Sequence, residues 1–279
     1  FCSCGMGPAM SDTRTYSGVD LDECELHPLG LGLAAVYTRR SPDKDTMNED
    51  SVGLIPVGKN AGVLIVADGA GGRPSGAKAS EIAVRTIAKQ VEKVTDTDGL
   101  RSAILDAIEQ ANQAIVKLGI GAATTLAVAE IRGDTLRTYH AGDSQIFLFG
   151  QRGKLKIQTV SHSPVGYAVE SGLLDQKEAM FHDERHLISN MLGTEDMKVE
   201  MGSVVEISAN DTIVVGSDGL FDNMTPSEII EAARKGQLLA ACRSLVDTCH
   251  ARMLEEDSKN PSKPDDLSIV AYRRRVSAS

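Results

Sequence analysis

Gly62-Val-Leu-Ile-Val-Ala67, running into Asp68-Gly-Ala-Gly-Gly72, is the stretch on which the fold turns. The apolar run is too short for a bilayer, which takes about 20 residues, and it suits a strand buried on both faces. The glycines that follow end the strand in a tight turn. They leave the Asp68 carboxylate exposed at its tip and the Gly69 carbonyl free.

The same alternation of strand and stop extends outward from this run. Upstream, residues 31–38 and 49–57 read as strands around a polar loop at 39–48. Downstream, Ala79, Ile82, Ala83, Ile87 and Val91 recur at helical spacing over 75–94, and Ile104, Leu105, Ile108, Ala111 and Ile115 over 100–118. Strand-like runs follow at 123–131, 135–141, 145–149 and 154–160. Residues 161–201 are polar and only partly periodic. Strands at 204–208 and 212–217 flank Asn210-Asp211, which reads as a hairpin turn. Helices at 226–235 and 238–255 precede a last strand at 267–273. Strands in runs and helices in pairs predict an α+β fold with antiparallel sheets, not a doubly wound one. The expected layout is a tail over 1–30, one domain over 31–273 and a short tail over 274–279. The chain starts at Phe1 rather than Met, and residues 1–10 are set aside as an added segment.

Composition narrows the partners. Asp and Glu number 39 against 29 Lys and Arg, a net charge of -10, which repels nucleic acid and anionic membranes. There are five cysteines and no CxxC pair, so neither a disulfide framework nor a thiolate metal site is expected. Cys242 and Cys249, on one apolar-patterned helix, read as buried free thiols, and a reducing cytoplasm is expected. No secretory leader is visible in the sequence.

Acidic residues gather where strands end: Glu49 and Asp50, Asp68, Asp143, Asp218 and Asp222, Asp265 and Asp266. Strand ends are where a rigid sheet can hold side chains for function. Carboxylates and backbone carbonyls without Cys or His suit Mg²⁺ or Mn²⁺ rather than structural zinc.

In order and wording these pieces resemble the type 2C, metal-dependent Ser/Thr protein phosphatase family, in its bacterial form. The matching motifs are Asn48-Glu-Asp-Ser51, Asp68-Gly-Ala-Gly-Gly72, Gly121-Ala-Ala-Thr-Thr125, Ala141-Gly-Asp-Ser144, Gly216-Ser-Asp-Gly-Leu-Phe-Asp222 and Pro264-Asp-Asp-Leu-Ser-Ile-Val270. The resemblance implies an α-β-β-α sandwich of two packed antiparallel sheets flanked by helix pairs, with 161–201 as a variable flap. It implies that Asp68 bridges two tightly bound Mn²⁺ or Mg²⁺ ions. Asp218 and Asp265 would complete one ion's shell, and the Gly69 carbonyl and Glu49 would serve the other. Asp50 supports them from behind, so the catalytic set is Asp68, Glu49 and Asp50. Asp143, Asp218 and Asp222 match a third, weaker site. Phosphorylated proteins, opposed by a Ser/Thr kinase, are the implied substrates, and a monomer is expected.

Two positions depart from the family. Asp45 stands where many relatives carry a phosphate-clamping Arg, leaving Arg73, Lys44, Arg40 or Arg39 as substitutes. Ala70 stands where many eukaryotic relatives have a His. His140, His162, His182 and His186 read as solvated loop histidines. A catalytically weak or inactive relative, used as a phosphoprotein-binding module, is the alternative reading.

Overall fold

Val63, Ile65 and Ala67 face a layer of helices, while Leu64 and Val66 face a second sheet, and all five are buried. A strand covered on both sides in this way is the centre of a layered sandwich. The structure, a computed structural model, describes residues 12–70, 75–254 and 260–275.

The chain begins with β1 (Arg14–Ser17), β2 (Glu25–Leu29), β3 (Gly32–Arg39), β4 (Asp50–Val57) and β5 (Ala61–Asp68). Helices α1 (Gly76–Val91) and α2 (Leu100–Val116) follow, then β6 (Leu126–Arg132), β7 (Thr135–Ala141), β8 (Gln145–Phe149) and β9 (Leu155–Gln158). Short helices α3 (Pro164–Glu170) and α4 (Gln176–Ala179) lead to β10 (Glu200–Met201), β11 (Val205–Glu206) and β12 (Thr212–Gly216). The chain then forms α5 (Asp218–Phe221), α6 (Pro226–Ala233), α7 (Leu238–Leu254) and β13 (Leu267–Arg274).

One sheet has the order β1-β4-β5-β6-β7-β10, with β11 also on β7. The other has the order β2-β3-β13-β12-β8-β9. Among the described residues every pair of neighbouring strands runs antiparallel. Helices α1 and α2 cover the outer face of the first sheet, and α5 to α7 cover the second. Leu54, Leu64, Val66, Val215 and Val270 fill the layer between the sheets. The expected α-β-β-α sandwich is therefore present, and Cys242 and Cys249 are buried free thiols on α7. Among the described residues no helix is long and apolar enough to cross a membrane.

Two local expectations are corrected. The stretch read as a tail over 1–30 contains two strands, because Arg14–Ser17 pairs with β4 and Glu25–Leu29 pairs with β3. Both lie at sheet edges, where one flank stays wet and the apolar signal is weak; Pro28 is tolerated in an edge strand for the same reason. Asn210-Asp211 is not a hairpin turn. β11 belongs to the first sheet and β12 to the second, so the chain crosses between layers there. Asn210 takes a left-handed φ of 69°, and buried Asp211 receives the Ser208 amide and the Lys156 ammonium, which fixes the crossing.

Candidate active site

The register of β4 on β5 sets Asp50 directly opposite Asp68 at the adjoining ends of the two strands. Three contacts hold the Asp68 backbone: its N–H donates to Thr125 Oγ1 at 3.1 Å, and its carbonyl accepts from the Thr125 N–H and the Thr124 hydroxyl at 2.8 Å each. The adjacent glycine is required by contact more than by a turn. A Cβ on Gly69 would lie 2.4 Å from the Gly76 carbonyl carbon and 2.7 Å from the Glu49 oxygen, so α1 and β4 could not close on the site.

The second sheet contributes Asp218 at the start of α5, Asp222 just after it, and Asp265 before β13. Gly219 obeys the same rule, since a Cβ there would meet the Asp266 oxygen at 2.1 Å. What joins this group is a residue that no sequence motif marks. The Lys263 ammonium pairs with Asp218, with Asp222 at 2.9 Å and with Asp265 at 3.2 Å. Fully buried Asn223 fixes the lysine backbone, accepting its N–H at 2.9 Å and donating to its carbonyl at 2.8 Å. Asp266, grouped by the sequence with the strand-end carboxylates but given no role there, has a structural one. Its carboxylate accepts the Ser41 and Glu49 amides and the Lys44 ammonium, pegging the 41–49 loop onto β13.

The carboxylates of the site remain poorly neutralised as a set. Asp50 has two buried oxygens without a hydrogen-bond partner, and Asp143 and Asp218 have one each. Burial pushes Asp143 up to about 8, with Asp218 and Asp222 adding to it and Lys263 opposing. Burial likewise raises Asp265 to about 7, again helped by Asp218. Asp50 and Asp68 are held well above the usual carboxylate range by burial and then by neighbouring aspartates: Asp266 acts on Asp50, and Asp50 on Asp68. Such crowding is what a cation relieves.

Asp143 lies on the turn after β7 and, with Asp218 and Asp222, floors a cleft of about 270 Å³. Residues of the 161–201 segment, among them Val165, Gly166, Met180 and Arg185, form its wall. Leu192 ties that segment to Thr124 through two backbone hydrogen bonds, of 2.9 and 3.1 Å, beside Asp68.

The histidine expectation is corrected in part. His140 and His162 are buried and stack with ring centroids 4.4 Å apart. With Glu200 they form a trio whose ligand atoms lie within 4.8 Å of one another. The hydrogen bonds argue against an ion there. His162 Nδ1 faces two donors, the Gly142 N–H and the Asn190 amide, whose orientation is fixed by Lys198. Nδ1 is therefore the bare nitrogen, and the proton sits on Nε2, towards Glu200 at 3.2 Å. A metal on Nε2 would move that proton to Nδ1, against the donors. The trio instead clamps the Gly142 turn that carries Asp143, and the His162 N–H donates back to the Gly142 carbonyl at 2.9 Å.

The phosphate-clamp candidates separate. Lys44 reaches Glu49 at 2.6 Å, beside the site. Arg40 is spent on Asp20 and the Thr46 carbonyl, Arg39 reaches Asp22, and Asp45 is exposed. Arg73 lies outside the described residues.

Comparison with known proteins agrees with this picture. The protein phosphatase 2C profile matches residues 39–262. A serine/threonine phosphatase, Stp, of Listeria monocytogenes is 31% identical over 237 residues, 81% of this chain and 90% of that one. The Mycobacterium tuberculosis serine/threonine phosphatase PstP/Ppp superposes with a TM-score of 0.71 at 25% identity, covering 87% of this chain and 98% of that one. The PstP catalytic domain solved with two manganese ions gives 0.69 at 24%, covering 86% and 96%. With its sandwich, its strand-end aspartates and these matches, the chain belongs to the protein phosphatase 2C family, as a serine/threonine protein phosphatase of bacterial type.

Proposed function

We propose that this phosphatase removes phosphate from phosphoserine and phosphothreonine in proteins at a binuclear Mn²⁺ or Mg²⁺ centre. The observation that carries the reading is the set of buried, unpartnered carboxylate oxygens on Asp50, Asp143 and Asp218. A buried charge without a partner is costly, and these residues are positioned for a cation. The donors are all hard oxygens, the class that Mn²⁺ and Mg²⁺ take. The Lys263 ammonium resting on three of the carboxylates supports the view that the bowl favours positive charge. The two manganese ions in the PstP catalytic domain support it as well.

In this reading Asp68, Asp218 and Asp265 would hold one ion, and Asp68, the Gly69 carbonyl and Glu49 would hold the other. Asp50 stands behind Asp68 and adds to the negative field. Bound ions supply the charge that neutralises the phosphoryl group and acidifies water. The chain's part is positioning: Thr124 and Thr125 lock the Asp68 backbone, and Asn223 locks the segment leading to Asp265. Lys44, held beside Glu49, is the best-placed of the described anchors for the substrate phosphate. The substrate polypeptide would lie along the cleft walled by residues 159–185. Its phosphorylation implies a Ser/Thr kinase acting in the opposite direction.

An inactive phosphoprotein-binding module would be expected to have lost carboxylates, and each matched position is kept. The deciding experiment is hydrolysis of a phosphothreonine peptide with Mn²⁺, then with EDTA. Activity that is undiminished in EDTA, or absent with Mn²⁺ and Mg²⁺ alike, rejects the proposal.

A further inference from the structure

Lys263 is not an ordinary surface lysine. Its side chain is 21% exposed and its ammonium touches Asp218, Asp222 and Asp265, all through Oδ2. Buried Asn223 grips its backbone on both sides and also donates to the Gly219 carbonyl at 2.9 Å, within the α5 turn that carries Asp218. The lysine and its carboxylates therefore ride on one rigid unit. Asp218 is divided: Oδ2 goes to the ammonium, while buried Oδ1 has no hydrogen-bond partner. Asp143 Oδ1, across the cleft floor, is likewise bare.

We infer that Lys263 is a tethered cation that replaces a third, weakly held divalent ion at Asp143, Asp218 and Asp222. The inference rests on the binuclear reading above. A third ion binding there would have to displace an ammonium that cannot diffuse away, because its backbone is pinned. The two-ion centre keeps Asp218 Oδ1, whereas Asp265 has Oδ2 on the ammonium and Oδ1 on the Asp266 N–H, so serving an ion there exchanges one of those two contacts. The chain thus carries part of its own charge neutralisation, and its dependence on free metal is reduced to the two ions of the centre.

The test is the Mn²⁺ binding isotherm, read by calorimetry and by the electron paramagnetic resonance of free Mn²⁺, with no turnover involved. Wild type is expected to take up two ions. Lys263→Met, of similar length and uncharged, should gain a third ion or tighten its weakest site at least tenfold. Adding Asp143→Asn to that variant should remove the gain. Two ions in wild type with a superimposable Lys263→Met isotherm overturns the lysine assignment alone; a wild type that binds no Mn²⁺ overturns it together with the binuclear reading. Should Lys263→Met fail to fold, wild type decides the matter by lysine-selective NMR with Mg²⁺. The Lys263 ammonium signal should stay protected once two ions are bound, and its release into the solvent-exchanging envelope overturns the assignment.

Discussion

The two halves of the acidic bowl are built from the same residue type and treated differently. On the first sheet, Asp50 and Asp68 face each other across a strand pair, and among the described residues no lysine or arginine pairs with either carboxylate. On the second sheet, Asp218, Asp222 and Asp265 share the Lys263 ammonium. Burial raises carboxylates in both halves, yet Asp50 and Asp68 have no ammonium on them, since Lys44 is spent on Glu49 and Asp266. In the proposed reading the first half is neutralised by cations from solution, while the second is partly satisfied by the chain itself.

The largest effect should come from the uncompensated half. Asp68→Asn keeps the shape and removes the charge between the proposed ions, so turnover should fall on the order of 10³-fold or more, several kcal/mol of transition-state stabilisation. Circular dichroism should be unchanged. Retention of turnover would break the distinction between the halves.

Next comes the close approach of α5 to the segment that leads into β13, within the half built on the second sheet. Gly219→Ala places a Cβ 2.1 Å from the Asp266 oxygen, with backbone as the obstacle, and should cost about 1–3 kcal/mol of stability. Urea unfolding measures this, and a loss below about 0.5 kcal/mol would mean that α5 can shift freely.

A smaller effect concerns pH. Asp143 and Asp265 titrate in the folded chain near 8 and 7, far above their unfolded value of about 3.9. The folded state therefore binds protons that the unfolded state releases, and stability is lost as pH rises through 7 and 8. In EDTA the melting temperature should rise as pH falls from about 9 to 6. Saturating Mn²⁺ should flatten or reverse that trend, because ions favour the ionised carboxylates. A metal-free melting temperature that falls over this range contradicts the account.

The smallest effect separates the clamp candidates. Arg40→Ala, distant in its contacts, should leave the KM for a small aryl phosphate within about twofold, whereas Lys44→Ala should raise it by a factor of about five to ten. Equal behaviour of the two would remove Lys44 as the anchor.

Much of this was legible in the sequence because buried strands and strand-end motifs are local signals. The run 62–67 and the helix spacings point where the structure puts them, whereas Gly219 lies inside α5 and Gly69 bridges to Thr124. The edge strands at Arg14–Ser17 and Glu25–Leu29 were not legible, since a half-wet strand has little apolar contrast. Nor was the chain crossing at Asn210-Asp211, whose dipeptide suits a hairpin equally well. Lys263 reads as one more loop charge, because nothing local shows that Asn223 will deliver it to three aspartates 40 or more residues away or next door. His162 was hidden similarly, as its burial depends on Gly142, Asn190 and Glu200 converging from separate segments.

The most direct measurement of the central claim is the metal content of wild type and Asp68→Asn alongside Mn²⁺-dependent dephosphorylation of a phosphothreonine peptide. Two tightly bound ions and turnover are expected in wild type, with loss of at least one ion and of turnover in a variant that stays folded. Turnover in wild type without bound metal, or an Asp68→Asn variant that keeps both ions and full turnover, would contradict the claim.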